Sequence, residues 1–195
     1  MIFRETTCAV CRGVAAILLS VAGAGGAWAS PPPCNDSTPQ TVWRQINAVV
    51  AAPGDGWSLE CVQAEGINAY VDHAHHRVAY HHDVAGLSNN EIAAILSHER
   101  SHLALGHPPP GGAIRSATQE DAADRLGVFY MRLAGFDPHG AINLLSRFEQ
   151  TPDDLSRRRR LEGNIAAAEA WVPMTLEPRE ARRLGTLIRR RMMRD

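Results

Sequence analysis

The chain has 195 residues, which is enough for one domain with a sizeable hydrophobic core. Its formal net charge at pH 7 is -1, and its 20 basic residues are all arginine. A balance this close to neutral gives no support to nucleic-acid binding, which usually involves a strongly basic domain.

Residues 1–29 have the pattern of a secretory signal peptide. Arg4 and Arg12 give this segment a positive start, and an apolar run follows over residues 14–27. That run is too short to span a bilayer, as a membrane anchor would. It ends in the Ala-Trp-Ala of residues 27–29, a small-x-small cleavage site. The pattern predicts an exported bacterial protein, periplasmic or secreted, that is soluble after signal cleavage.

Two of the four cysteines, Cys8 and Cys11, lie within that signal segment. Cys34 and Cys61 remain, which makes an even pair in an exported chain. Such a pair is compatible with a disulfide, because the compartments outside the cytosol are oxidising. Two unpaired thiols are the alternative, and the sequence does not decide between them.

The next residues predict a leader, one helix and a small sheet. Residues 30–40 are rich in proline, serine and asparagine, and we interpret them as a mobile leader. Apolar residues at helical spacing predict a first helix over residues 41–52. Short β-strands are predicted over residues 57–63, 67–71 and 77–80.

Histidines crowd the region of the second and third strands. They are His73, His75, His76, His81 and His82. One interpretation is a second metal site. We favour polar histidines at a hairpin, because no carboxylate or cysteine is spaced among them as a defined ligand set.

A long helix is predicted to follow these strands. It begins with a capping box, in which Ser88 caps the first turn and Glu91 pairs with it. Gly106 and the prolines of residues 108–110 end the helix. Between these signals the apolar residues recur with a helical period; they are Ile92, Ile95, Leu96 and Leu103.

This helix carries the motif H-E-x-x-H. His98 and His102 are four residues apart, so they lie on one helix face and both imidazoles can bind the same metal ion. Glu99 would lie beside that metal, where its carboxylate can take a proton from a bound water molecule. This arrangement is typical of a hydrolytic zinc site.

A catalytic zinc ion takes three protein ligands and leaves one position open. The next capping box predicts a helix that ends at Gly135 and carries Glu120 and Asp124 on one face. We predict Glu120 as the third ligand and Asp124 as the acceptor of a hydrogen bond from a ligand histidine. The rival third ligand is His107. The metzincin pattern places its third histidine six residues after the second, whereas His107 comes five residues after His102.

The remaining helices have clear start signals. The Asp-Pro of residues 137–138 and the Thr-Pro of residues 151–152 each predict a helix with proline at its first position. The catalytic domain would extend over residues 41–175. Residues 176–195 would form a basic C-terminal helix, which we predict as a docking element outside the catalytic core. Its arginines are either a solvated face or a contact for an anionic membrane surface or an acidic partner.

Several segments together resemble metallopeptidase family forty-eight, the Ste-twenty-four, HtpX and BepA-like zinc proteases. They are Asn68-Ala69-Tyr70, Leu87 with the asparagine-rich cap after it, His98-Glu99-x-x-His102, Glu120-x-x-Ala123-Asp124 and Ala134-Gly135-Phe136-Asp137-Pro138. Many zinc proteases share the H-E-x-x-H, whereas its combination with the other segments is far more specific. The resemblance extends from residue 68 to residue 148.

This resemblance implies a fold, a cofactor and an activity. The fold would be α+β and mostly helical, a gluzincin-type zincin domain with a small β-sheet. The cofactor would be one zinc ion per chain, and the activity would be hydrolysis of peptide bonds in a protein or peptide substrate. The strand before the active-site helix would be a sheet edge to which the substrate adds as an extra strand.

The chain departs from the family pattern at two places. Only 17 residues separate His102 from Glu120, where the family commonly has a longer segment that helps to cover the cleft. The family also often carries a His-Pro with a downstream arginine. Here Thr-Pro stands at residues 151–152, with arginines at 157–160. A residue near the metal would then be missing, with His139 or one of these arginines as its substitute.

These observations predict a zinc-dependent endopeptidase that acts on exported or envelope proteins, with Glu99 as the general base. The residue that assists the reacting carbonyl is unassigned, and Tyr80, His139 and Arg158 are the candidates. The alternative function is an exported chaperone or assembly factor that keeps the zinc fold but cleaves little. A purely structural zinc ion is disfavoured, because such sites usually have four ligands that are rich in cysteine.

Overall fold

A computed structural model describes most of the chain. The described residues are 34, 36–50, 56–108, 116–148, 151–173 and 175–194. The predicted signal peptide lies outside the described residues, as do residues 30–33 and 35 of the predicted leader. Residues 38–40 of that leader belong to the first helix instead.

In this structure a small sheet precedes a set of helices. The order is helix α1 (Thr38–Val49), strands β1 (Ser58–Val62), β2 (Ala69–Asp72) and β3 (Arg77–His81), a 3₁₀ helix (His82–Gly86), and helices α2 (Asn89–Leu105), α3 (Ala117–Leu133), α4 (Gly140–Leu145), α5 (Pro152–Trp171) and α6 (Pro178–Met192). The α+β class predicted from the sequence is confirmed. Helix α1 begins three residues earlier than predicted, with Pro39 in its first turn. Among the described residues, no helix is long and apolar enough to cross a membrane.

The three strands form one sheet in the order β1-β3-β2. Strand β3 pairs in parallel with β1 and antiparallel with β2. The expectation that the strand before the active-site helix is a sheet edge is therefore wrong, because that strand is β3 and lies in the centre. Strand β2 is the edge that packs against α2.

The helix start signals have the geometry that their sequences predict. Complete capping boxes begin α2, α3 and α5, formed by Ser88 with Glu91, by Ser116 with Gln119 and by Thr151 with Asp154. Helix α4 is the exception, because it begins at Gly140 instead of Pro138. Its N-terminal backbone first forms two tight turns, in which Gly140 and Ala141 donate to the carbonyls three residues earlier.

Helix α2 lies at the centre of the domain and packs against α1, α3, α4 and β2. Residues on most sides of this helix are buried, as expected for a central helix. Even Arg100 is fully buried, and its Nε donates to Asn47 on α1 at 2.8 Å. A helix enclosed in this way is a rigid support for the histidines that it carries.

The C-terminal helix α6 packs on the domain. It lies against α1 and α3, and Ala181, Gly185 and Ile188 are buried in that contact. The prediction that this helix lies outside the core is wrong for its inner face. The apolar residues at helical spacing cover the ends of α1 and α3, and most of the arginines are exposed. Arg189 is the exception, because it points inward and donates to the carbonyl of Ala104 on α2 at 3.5 Å.

A disulfide joins Cys34 to Cys61. It links the segment before α1 to strand β1. The structure therefore selects the disulfide from the two alternatives that the sequence left open.

Candidate metal centre

Two histidines on α2 converge from consecutive turns. The Nε2 atoms of His98 and His102 are 3.0 Å apart, and the two rings are nearly perpendicular. His102 is fully buried, and His98 is mostly buried. Both histidines thus direct the same ring nitrogen toward one point.

Helix α3 adds a carboxylate at that point. Glu120 places one oxygen 3.2 Å from Nε2 of His98 and the other 3.6 Å from Nε2 of His102. Glu99 is slightly farther away, with its nearest oxygen 4.0 Å from Nε2 of His98. Because Glu120 lies closer than Glu99 to Nε2 of His98 and also reaches His102, it is the better candidate for a ligand, and Glu99 remains beside the centre.

A glycine allows α3 to come this close to α2. A Cβ atom on Gly127 would lie 3.2 Å from the backbone nitrogen of His98. Glycine in a helix interior destabilises the helix by about 1 kcal/mol relative to alanine. The close packing of α3 on α2 offsets that loss here. In the sequence, Gly127 is marked only as an isolated glycine within an otherwise regular helical pattern, a signal that the motifs around the site do not include.

Asp124 fixes the orientation of His98. Its Oδ1 lies 2.8 Å from Nδ1 of His98. A carboxylate at that distance accepts the Nδ1 hydrogen, which leaves Nε2 of His98 with a lone pair for a metal ion. This is the contact expected for Asp124 from its position one turn after Glu120.

Arg157 on α5 holds Asp124 in turn. Its Nε and Nη2 donate to the two carboxylate oxygens of Asp124, each at 2.7 Å. Arg157 is one of the arginines downstream of Thr151-Pro152, and the sequence left the role of that group open. The structure places it on Asp124, while Thr151 caps α5.

The carboxylates favour a positive charge at His98. Burial by itself would lower the pKa of this imidazole, but Asp124 and Glu120 more than offset that effect and raise the pKa to about 10. Burial would likewise raise the pKa of Asp124, yet the charge of Arg157 and the hydrogen bond from His98 hold that pKa well below its usual value. The site is therefore suited to binding a cation.

His107 does not join the two histidines at the point where they converge. Its Nδ1 lies 2.8 Å from Nδ1 of His102, the nitrogen on the far side of that ring. Its position therefore agrees with the choice of Glu120 over His107 as the third ligand.

An apolar pocket adjoins the centre. It has a volume of about 80 Å³. His98, Glu99 and Asp124 lie along its wall, and most of the other residues are apolar, among them Ile67, Ala69, Ala94, Ile95, Ala141, Leu144, Leu145, Phe148 and Leu161. The pocket therefore places an apolar surface next to the candidate general base.

The three predicted candidates for the assisting residue do not line this pocket. Tyr80 is buried in the core. His139 contacts Asp137 at 3.0 Å and lines a separate pocket. Arg158 donates to Glu162 at 3.3 Å. The role of assisting the carbonyl has no assigned residue in the described part of the chain.

The histidines near the sheet have other contacts. Trp57 packs against His73 and His76, His75 lies 2.7 Å from Asp72, and His81 lies 3.0 Å from a backbone carbonyl. Within the described residues, metal-ligand spacing is found around His98, Glu99 and His102, and it includes none of these hairpin histidines. These findings agree with the interpretation that the hairpin histidines are ordinary polar residues.

The donor set at the centre fits zinc. Two imidazole nitrogens and one carboxylate are a known ligand set for catalytic zinc, and they leave a fourth position open. A site with only His and carboxylate donors and a buried glutamate beside it differs from the closed, cysteine-rich sites of structural zinc.

An α+β domain that brings the H-E-x-x-H residues together on its central helix has the features of a zincin, the class of metallopeptidases with this motif. The sequence profile of Peptidase family M48 matches residues 35–111. The match confirms the resemblance to metallopeptidase family forty-eight and supports a metalloprotease function in general terms. It ends before Glu120, so the choice of third ligand depends on geometry. None of the curated proteins matches the chain.

Proposed function

We propose that this protein is a zinc-dependent endopeptidase that hydrolyses peptide bonds in exported or envelope proteins. The observation that carries the proposal is the convergence of His98, His102 and Glu120 on one point, with Glu99 beside it. The family match supports the same class of activity.

His98, His102 and Glu120 would hold the zinc ion, which supplies a lowered water pKa and polarises the scissile carbonyl. Glu99 is buried beside these ligands and also lines the apolar pocket. Its carboxylate removes the proton from the attacking water and returns that proton to the leaving amine. Asp124 keeps His98 in the tautomer that binds through Nε2.

Strand β2 offers a place for the substrate backbone. The carbonyl of Asn68 accepts from the amide of His81 at 2.9 Å, and the antiparallel register pairs Tyr70 with Ala79. Because hydrogen-bonded pairs alternate along such a ladder, Ala69 and Val71 direct their amides and carbonyls away from β3. An extended peptide can add to this open edge. Ala69 also lines the pocket next to Glu99, so the added strand would pass the catalytic residues.

The test uses the mature protein with unfolded casein, in the presence of zinc or of a chelator. The wild type is expected to cleave casein, and the chelator is expected to stop cleavage. Glu99→Gln preserves shape but cannot accept the water proton, so we expect bound zinc and no cleavage. Glu162→Gln, an exposed change on α5, is the matched control and should cleave normally.

Two results would contradict the proposal. Wild-type turnover by Glu99→Gln would remove the general-base role. Binding of unfolded casein without chelator-sensitive cleavage would instead favour the alternative of a chaperone or assembly factor.

A further inference from the structure

The C-terminal end of α2 has a specific turn. Gly106 adopts a left-handed backbone conformation with φ of 69°. Its amide donates to the carbonyl of Leu103 at 3.2 Å, and the amide of His107 donates to the carbonyl of His102 at 3.0 Å. This pair of hydrogen bonds defines a Schellman motif, a common way to end a helix with glycine.

In a Schellman motif, the residue after the glycine usually makes an apolar contact with the residue five positions earlier. In this chain those two positions are His107 and His102. Their rings lie 5.0 Å apart, and their Nδ1 atoms are 2.8 Å apart. A helix-ending turn has therefore brought a polar ring into hydrogen-bonding contact with a candidate metal ligand.

The direction of that hydrogen bond follows from the role of His102. If Nε2 of His102 binds a metal ion, the hydrogen of its neutral ring must be on Nδ1. The Nδ1 of His107 is then the acceptor. His107 does for His102 what Asp124 does for His98, but with a neutral ring in place of a carboxylate.

We propose that His107 is a positioning residue that fixes the tautomer and ring orientation of His102 for metal binding. This inference rests on the metal centre of the proposed function. It accounts for a histidine whose spacing excludes it as a metzincin-type ligand. It also assigns the turn at Gly106 a role in building the site, because that turn determines where the His107 ring lies.

The experiment compares three substitutions by their zinc affinity, measured by competition with a chromophoric chelator. Asn in place of His107 keeps an acceptor near the position of Nδ1, Phe keeps a ring without an acceptor, and Ala removes both. Loss of such an outer partner typically costs about 10- to 100-fold in metal affinity. We expect a loss in that range for His107→Phe and His107→Ala, and a clearly smaller loss for His107→Asn. His139→Phe, at an exposed histidine with an acidic neighbour, is the matched control and should bind zinc normally.

A second readout reports on His102 directly. In the cobalt-substituted protein, the ring N–H hydrogens of ligand histidines give shifted NMR signals, and hydrogen bonding slows their exchange with water. His107→Phe should broaden or remove one of these signals, while the signal of His98 persists because Asp124 still accepts its hydrogen. Thermal melting of each variant without added metal reports on folding separately.

The outcomes separate this inference from the proposed function. If the wild type binds no zinc, the metal centre itself is wrong. If the wild type binds zinc and His107→Phe binds it equally well, with both N–H signals retained, His107 only packs against His102 and the positioning role is overturned. Should His107→Phe fail to fold, the comparison of Asn with Ala decides the question.

Discussion

Arg157 on α5 donates two hydrogen bonds of 2.7 Å to Asp124 on α3. Asp124 in turn accepts from His98 on α2 at 2.8 Å. One candidate ligand on α2 is thereby connected to two further helices, α3 and α5. The charge of Arg157 keeps Asp124 ionised, and an ionised carboxylate is the stronger acceptor for His98.

We predict that Asp124→Asn weakens zinc binding by about 10- to 100-fold without removing a ligand. Asn preserves the shape of the side chain but removes the negative charge that orients His98. Isothermal titration with zinc measures the effect. Asp121→Asn, on the same helix and paired with the exposed Arg160, is the control. If Asp124→Asn binds zinc as tightly as Asp121→Asn, the role of Asp124 is limited to its ion pair with Arg157 and does not extend to metal binding.

The second prediction concerns Glu120, whose oxygens lie 3.2 and 3.6 Å from the two histidine nitrogens. Glu120→Gln replaces a charged ligand by a neutral amide, and the zinc stoichiometry is expected to fall well below one per chain at low micromolar metal. Metal analysis after gel filtration checks this. Full retention of zinc would transfer the role of third ligand to Glu99, the other carboxylate near the centre.

The third prediction concerns acid stability through Glu91, which caps α2 and pairs with Arg147. The hydrogen bonds from Arg147 lower the pKa of Glu91 to about 2, although burial of the carboxylate acts in the opposite direction. Because its pKa is lower in the folded state than in the unfolded state, this carboxylate stabilises the fold at pH values above its unfolded pKa, which is near 4.5. That contribution is lost as the pH falls from about 4.5 toward 2.

Arg147→Met should therefore reduce stability at pH 6 and flatten the loss of stability between pH 4.5 and 2.5. Urea unfolding of both proteins across this range measures the difference. Arg158→Met breaks an exposed pair with Glu162 and serves as the control, since exposed pairs contribute little. The prediction would be contradicted if the free energy of unfolding of the wild type and of Arg147→Met had the same dependence on pH.

The sequence predicted the helices and the H-E-x-x-H site well, because their signals are local. The capping box of Ser88 and Glu91 and the four-residue spacing of His98 and His102 depend on helix geometry alone. The contact between Arg157 and Asp124 depends on how α3 packs against α5, which lies beyond any local pattern. The close approach at Gly127 is non-local in the same way.

Two further differences have the same origin. The position of β3 in the centre of the sheet depends on β1 pairing with it in parallel, a long-range choice that strand patterns do not encode. The inner face of α6 has an apolar stripe that predicts an amphipathic helix. The stripe does not say whether the helix covers its own domain or another surface, and here it covers α1 and α3.

The fourth prediction concerns the substrate side chain. Because apolar residues form most of the pocket beside Glu99, we expect preference for an apolar side chain next to the scissile bond. Ala141→Phe adds a large side chain to the wall of this pocket. It should lower kcat/KM for peptides with leucine at that position more than for peptides with alanine. Zinc affinity should be unchanged, and an equal loss for both peptides would contradict the pocket's role.

The last prediction concerns the outer face of α6, which we propose as a contact for anionic lipid. Arg183, Arg190 and Arg194 recur at helical spacing around Leu187, which is 53% exposed. Trp171, 55% exposed, lies beside this face, with the guanidinium of Arg191 5.0 Å from its ring. Arginines around exposed leucine and tryptophan suit a membrane interface, where the charges meet phosphate and the apolar groups enter the acyl boundary.

Each basic residue near an anionic surface contributes about 1 kcal/mol of attraction, and salt reduces it. The wild type should therefore co-sediment with phosphatidylglycerol vesicles at low salt and be released at high salt. Replacing the three arginines Arg183, Arg190 and Arg194 by glutamine should abolish the low-salt binding.

Truncation of α6 is unsuitable as a test because the inner face of this helix is buried. A second triple variant, with the exposed residues Arg44, Arg125 and Arg159 replaced by glutamine, removes the same charge outside α6 and is the control for net charge. A wild type that stays in solution with anionic vesicles at low salt would contradict the proposal, and equal binding by the α6 triple variant would show that another surface binds the lipid.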